Sequence, residues 1–168
     1  MKLAELLAQK KSLILDKWLN LIWSSYPPET ASFLSREKDR FQNPVAYQIT
    51  QGIKGLYEAL IKEMDPEKVM AHIKEVVGLK AVQNFSPSQA LAFVFLLKKV
   101  VREQLAAELK DEALAQECLE LESRIDGLAL LCFDAYMERR EKLSELRIAE
   151  VQNRVSALLR RAGLGPPD

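Results

Sequence analysis

Ala81-Val82-Gln83-Asn84-Phe85-Ser86-Pro87-Ser88-Gln89-Ala90 runs without a break into Leu91-Ala92-Phe93-Val94-Phe95-Leu96-Leu97-Lys98. Ser86 can cap a helix by accepting bonds from its free N–H groups. Pro87 suits the first helical position, where a missing donor costs nothing. The residues from Ala90 to Leu97 are apolar without exception, as expected of a helix sheathed by other helices. The same cap-then-proline device recurs at Asn43-Pro44 and at Asp65-Pro66. Three helix starts of this kind in one small chain predict an all-α fold.

Reading outward, the pattern predicts a first helix from about Leu3 to Ser24, with Leu3, Leu7, Ile14, Trp18, Leu21 and Ile22 mostly on one side. Tyr26-Pro27-Pro28 stops it, because proline disfavours helix in the residue before it and cannot continue the ladder. A short helix is predicted over Thr30 to Arg36. Further helices run from Pro44 to about Met64, from Pro66 to about Val82, and from Pro87 to near Lys110. Between Asp111 and Arg161 there is no proline, and Gly127 is the only glycine. That stretch admits one very long helix, or two helices broken near Gly127 or within Met137 to Lys142. Toward its end Ile148, Val151, Val155, Leu158 and Ala162 repeat at alternating threes and fours. This spacing makes the narrow seam of a coiled coil or of a helix docked on a partner. Residues 143–162 are thus expected to be a signalling or dimerisation helix, with folding back onto the chain's own core as the alternative. Gly163 reads as a C-cap and Pro166-Pro167 as a frayed tail. No strand pattern and no internal repeat is found.

With 168 residues, 48% of them hydrophobic, the chain reads as a single domain, 1–168, able to bury a sizeable core. Lys and Arg total 24, as do Asp and Glu. Such a balance argues against a nucleic-acid footprint and against a polybasic membrane anchor. In the N-terminal run, Glu5, Lys10, Lys11 and Asp16 interrupt the apolar residues, so no signal peptide is read there. Leu91 to Leu97 is far shorter than the ~20 residues a bilayer requires. A soluble, cytoplasmic protein without membrane insertion is expected. Cys118 and Cys132 would lie ~20 Å apart on a straight helix, too far for a bridge, and read as buried inert thiols.

Chemistry-bearing residues are sparse. His72 is the one histidine. It is the sole candidate for a haem ligand and lacks a second histidine nearby, so it reads as a partly exposed helical residue. The same scarcity removes metalloproteases, histidine-based triads and zinc sites, and no cofactor or enzymatic activity is expected. Asp126 and Asp134 interrupt an apolar stretch, while Lys98 and Arg102 lie one turn apart on the Pro87 helix. Opposite charges on two packed helices would neutralise each other as structural salt bridges; the alternative is the polar floor of a ligand pocket. Gln83, Asn84 and Gln89 could bond helix ends or contact a ligand or partner. Trp18, Trp23, Tyr26, Phe33 and Phe41 read as a seal between the first two helices, with an aromatic-lined pocket as the alternative. Gly52 and Gly55 inside a helix read as permitting close helix packing.

The stretch AVQNFSPSQALAFVFLLK resembles a signature of the N-terminal sensory domain of the RsbT co-antagonist RsbRD. The likeness extends over nearly the whole chain. It includes Trp18 with Tyr26-Pro27, Phe33-Leu34 and Asp39-Arg40-Phe41-Gln42-Asn43-Pro44-Val45. It resumes at Arg124-Ile125-Asp126-Gly127-Leu128-Ala129-Leu130 and at Phe133-Asp134-Ala135-Tyr136-Met137-Glu138-Arg139-Arg140-Glu141-Lys142. The resemblance implies a compact all-α sensory module, globin-like without haem, with no enzymatic activity. It implies a role in stress or environmental signalling and a protein partner: a kinase, an anti-sigma-type regulator or another signalling protein. In co-antagonists of this type a phosphorylatable STAS domain comes next, and in kinases a transmitter. Here the sequence ends at Asp168, so either a stand-alone sensor or adaptor, or the sensory part of a longer protein, is expected. A stand-alone version would signal through contact with another protein, with Ile148, Val151, Val155 and Leu158 as the homodimer seam. The competing readings are a structural accessory protein docking on a larger assembly and, third, a haem-binding sensor.

Overall fold

The computed structural model describes residues 1–36, 39–62 and 65–165. Among them are seven α-helices and no strand: α1 (Leu3–Gln9), α2 (Lys11–Trp23), α3 (Pro28–Arg36), α4 (Pro44–Ile61), α5 (Pro66–Val82), α6 (Pro87–Gln104) and α7 (Glu112–Arg161). A single 3-10 turn, Glu108–Lys110, precedes α7. The chain divides into two compact units, Met1–Tyr136 and Met137–Asp168, and α7 contributes to both.

All three cap-then-proline starts are realised. The Asn43 side chain accepts from the Ala46 amide at 3.2 Å, Asp65 from Glu67 at 3.0 Å and Ser86 from Gln89 at 3.3 Å. Each bond satisfies one of the orphan donors of a helix N-terminus. The end of α7 is equally regular. Gly163 takes φ +74°, while Gly163 N–H reaches the Arg160 carbonyl and Leu164 N–H the Leu159 carbonyl. These paired bonds form a Schellman motif, with glycine supplying the left-handed residue. The expected tail at Pro166-Pro167, and the expected helix end at Met64, lie outside the described residues.

The first helix departs from the expectation. Its apolar positions are in phase across the whole run, yet the ladder breaks at Lys10 (φ −92°, ψ 10°), dividing α1 from α2. The break coincides with tertiary contacts on both sides of it. Lys10 Nζ donates to the Gln104 carbonyl at 2.7 Å and to Glu108 at 2.6 Å, and the Leu3 amide donates to Glu117 at 2.7 Å. The expected end of the Pro87 helix near Lys110 is also corrected. α6 stops at Gln104, and buried Leu105 leads into the 3-10 turn.

The first unit is built round one hydrophobic cluster. α2 supplies Ile14, Trp18 and Ile22; α4 supplies Ile49, Ile53 and Leu56; α5 supplies Ile73, Val76 and Val77. α6 adds Phe93, Val94 and Leu97, and α7 adds Leu121, Ile125 and Cys132. The polar tips in this core are satisfied. Trp18 Nε1 donates to the Phe93 carbonyl at 2.7 Å, and the Tyr57 hydroxyl to the Leu7 carbonyl at 2.8 Å. Gly52 and Gly55 let α4 and α5 approach closely, as expected. A Cβ on Gly52 would come within 2.5 Å of Val76 Cγ2 and 3.2 Å of the His72 carbonyl; one on Gly55 would meet the His72 ring at 2.4 Å.

α6 is not covered on every side. Phe95 is 48% exposed and Ala92 is also exposed, leaving an open stripe continued by Lys99 and Glu103. α4 buries more of its residues than α6 does, against the expectation that the Pro87 helix is sheathed by other helices. An apolar circumference permits burial all round, but enclosure requires neighbours on every side, and the fold supplies them on only part of the helix.

Candidate functional site

Two regions carry most of the residues singled out from sequence: the corner between α5 and α6, and the length of α7. The corner is a pair of interlocked helix caps. At the end of α5, Asn84 adopts φ +61°, the Asn84 amide reaches Ala81 and the Phe85 amide reaches the Lys80 carbonyl at 3.2 Å. Asn84 therefore fills the left-handed position of a Schellman motif that glycine usually takes. At the start of α6, Gln89 Oε1 accepts from the Ser86 amide at 3.0 Å, completing a capping box with Ser86. Asn84 and Gln89 thus bond helix ends. Gln83 instead reaches outward and accepts from the Tyr26 hydroxyl at 3.0 Å. Burial pushes the Tyr26 phenol up to about 12, and the Gln83 bond pulls it partly back.

Into this corner the fold drives a residue that sequence reading missed. Lys80 is 1% exposed. Its ammonium stands 4.7 Å from the Phe85 ring centre, 5.2 Å from Tyr26 and 5.8 Å from Phe93. Among the described residues no carboxylate lies within ion-pair distance of it. A buried cation is costly unless compensated, and three aromatic faces offer their quadrupoles as partial compensation. Burial lowers its pKa from 10.5 to about 8. The available signal was spacing, since Lys80 continues the buried Ile73, Val76, Val77 series by a step of three. The Tyr136 hydroxyl of α7 donates to the Phe85 carbonyl, so α7 and the turn after α2 both tie down the corner between α5 and α6.

The aromatic seal expected early in the chain is only partly formed. Trp18 is fully buried, stacking with Phe93 at 6.3 Å between ring centres, and Trp23 and Tyr26 are buried. Phe33 and Phe41 are exposed, Phe41 at 86%, so neither belongs to the seal. Arg40 lies over the Phe41 and Tyr47 rings at the surface. The short α3 covers the core through buried Leu34 and half-buried Ala31, which leaves Phe33 on its outer side.

α6 and α7 are bridged as expected, with one change of partner. Lys98 pairs with Asp126 at 2.5 Å, while Arg102 takes Glu122 in a two-pronged contact at 2.5 and 2.9 Å. Asp134 is exposed and stands in none of these pairs. Glu122 is one turn before Asp126, the same stagger as Lys98 to Arg102 in the opposite sense, as antiparallel neighbours require. His72 packs its ring on Gly55, with Nδ1 3.7 Å from Glu75 and without a hydrogen bond. Cys118 and Cys132 are free and buried, and burial pushes the Cys132 thiol up to about 12.

α7 is continuous through Gly127 and through Met137 to Lys142, which settles the sequence alternatives in favour of one helix of 50 residues. Its C-terminal part carries Ile148 (57% exposed), Val151 (57%), Val155 (48%) and Leu158 (63%). Glu150 and Arg154 pair along this stretch one turn apart. No helix among the described residues is long and apolar enough to cross a membrane.

The profile of the RsbT co-antagonist protein rsbRD N-terminal domain matches residues 13–151, most of the chain. The chain belongs to that family. No curated protein and no solved structure matches it.

Proposed function

We propose that this domain is a non-enzymatic regulatory module of stress or environmental signalling that acts by protein–protein contact, working as a homodimer through the seam on α7. Membership of the co-antagonist family supports the regulatory part of this reading. The observation that carries the rest is the exposure of Ile148, Val151, Val155 and Leu158 at heptad spacing. Aligned apolar side chains in water favour a partner that covers them.

The flanking charges favour a second copy in parallel. With Ile148 and Val155 at a positions and Val151 and Leu158 at d, the g positions are Arg147, Arg154 and Arg161, and the e positions Glu145, Gln152 and Leu159. An antiparallel pair would set g against g, arginine against arginine. A parallel pair sets Arg140 near Glu145, Arg147 near Gln152 and Arg154 near Leu159, with no like charges opposed. The dimer would offer its outer face to a kinase, an anti-sigma-type regulator or another signalling protein.

Light scattering tests this. The wild type is expected to be a dimer. Val151→Glu with Val155→Glu places unpaired charges in the interface and should yield a folded monomer. A wild-type monomer at high concentration refutes the dimer.

A further inference from the structure

Most helix–helix seams in the first unit that present polar side chains are bridged. Lys10 reaches Gln104 and Glu108, Lys11 reaches Glu58, Gln48 donates to the Glu75 carbonyl, and two ion pairs tie α6 to α7. One gap is different. Between α2, α3 and α4 lies a cleft of about 540 Å³, open to solvent and floored by the buried side chains of Trp23, Leu34 and Ala46. Asp16 and Asn20, one turn apart on α2, line one wall; Thr50, Gln51 and Lys54 on α4 line the other. None of these five side chains makes a hydrogen bond or ion pair among the described residues; Asp16, Asn20, Gln51 and Lys54 are exposed and Thr50 is half-buried, so their polar ends face water at the mouth.

We propose that this cleft binds a small zwitterion with an apolar side group, an amino acid or a dipeptide. The volume falls in the range of small-molecule sites, and polar side chains outnumber apolar ones in the lining, which suits a small ligand with two charged ends and one apolar group. Asp16 and Lys54 bring opposite charges to the same cleft without pairing with each other. A neutral apolar ligand would leave both unused, and a simple amine or carboxylate would leave one. A zwitterion answers both: its ammonium on Asp16, its carboxylate on Lys54, its side group on Trp23 and Leu34. Asn20, Thr50 and Gln51 then supply the remaining donors and acceptors along the main chain of the ligand. Resting on the signalling role proposed above, the cleft would supply that module with a small-molecule input. The readout is binding, so this reading can fail while the dimer stands, and the reverse.

The test is calorimetric titration and thermal shift on the full chain. The probes are L-phenylalanine, L-leucine and leucyl-leucine, beside phenethylamine and 3-phenylpropionate as single-charge analogues. The zwitterions should bind saturably and raise the melting temperature, since a ligand of the folded state stabilises it. The single-charge analogues should bind about tenfold more weakly or worse, as should the zwitterions to Asp16→Asn and to Lys54→Gln, each having lost a charge-assisted bond. Both variants should melt unliganded as the wild type does. Stronger binding of leucyl-leucine than of leucine assigns a dipeptide, and the converse an amino acid. Absence of saturable binding by all three zwitterions overturns the proposal, as does binding that survives both substitutions unchanged.

Discussion

The two ends of α7 carry similar patterns and meet opposite fates. In the first unit Leu121, Ile125, Leu128, Cys132 and Ala135 repeat at threes and fours, and all are buried. Later on the same helix Ile148, Val151, Val155 and Leu158 repeat at the same steps, and all are exposed. Periodicity reports that a helix has an apolar face; it says nothing of what covers that face. The N-terminal stretch finds its cover within the chain. The C-terminal stretch is where a partner has something to gain.

The largest expected effect tests the covered side. Phe93→Ala should cost about 3–5 kcal/mol, because Phe93 is buried against Trp18 and its loss leaves a cavity. Phe95→Ala, two residues away on the open stripe, should cost under about 0.5 kcal/mol, as surface changes do. Denaturant unfolding of both variants measures the contrast, and equal losses would show that the covered face of α6 is wrongly placed.

Second in size is the buried cation. In the folded state Lys80 gives up its proton near pH 8, whereas the unfolded chain holds it to about 10.5. Below pH 8 the folded state bears the full cost of an under-compensated charge. As pH rises from 8 to 10 the folded side chain becomes neutral and that cost fades. Lys80→Met should therefore be more stable than the wild type at pH 7, with the difference shrinking by about 2 kcal/mol between pH 8 and 10. Comparing the two proteins at each pH cancels the buried Cys132 thiol and Tyr26 phenol, whose raised values work in the opposite direction. A difference independent of pH would mean that Lys80 is neutral, or well solvated, throughout.

Gly52→Ala should cost about 1–3 kcal/mol, because the added methyl meets Val76 and the His72 carbonyl and must part α4 from α5. The matching change on the open side, Gly127→Ala, meets nothing within 4 Å. It should be neutral or stabilise by up to about 1 kcal/mol through helix propensity. Thermal unfolding of the pair would show whether the two helical glycines differ as their surroundings do.

What the sequence by itself determined is whatever is settled within a few residues. The caps at Asn43, Asp65 and Ser86, the left-handed Gly163 and the all-helical content depend on local bonds and on proline's fixed geometry, so they were legible. The seam spacing on α7 was legible as a period, and the glycines of α4 as room for a neighbour, although α5 as that neighbour was decided by the tertiary structure. Only the tertiary structure decided which apolar faces are covered and which charges meet. The break at Lys10 coincides with distant carbonyl and carboxylate groups that hold its ammonium. Phe33, Phe41 and Phe95 are exposed because none of the described helices lies over them, and Arg102 takes Glu122 because the stagger of α6 on α7 brings it there. Lys80 is buried because its position on α5 faces the Phe85 ring of its own corner and the Tyr26 and Phe93 rings brought from elsewhere in the chain. Each of these turns on contacts between residues far apart in sequence, where a propensity or a period carries no information about the partner.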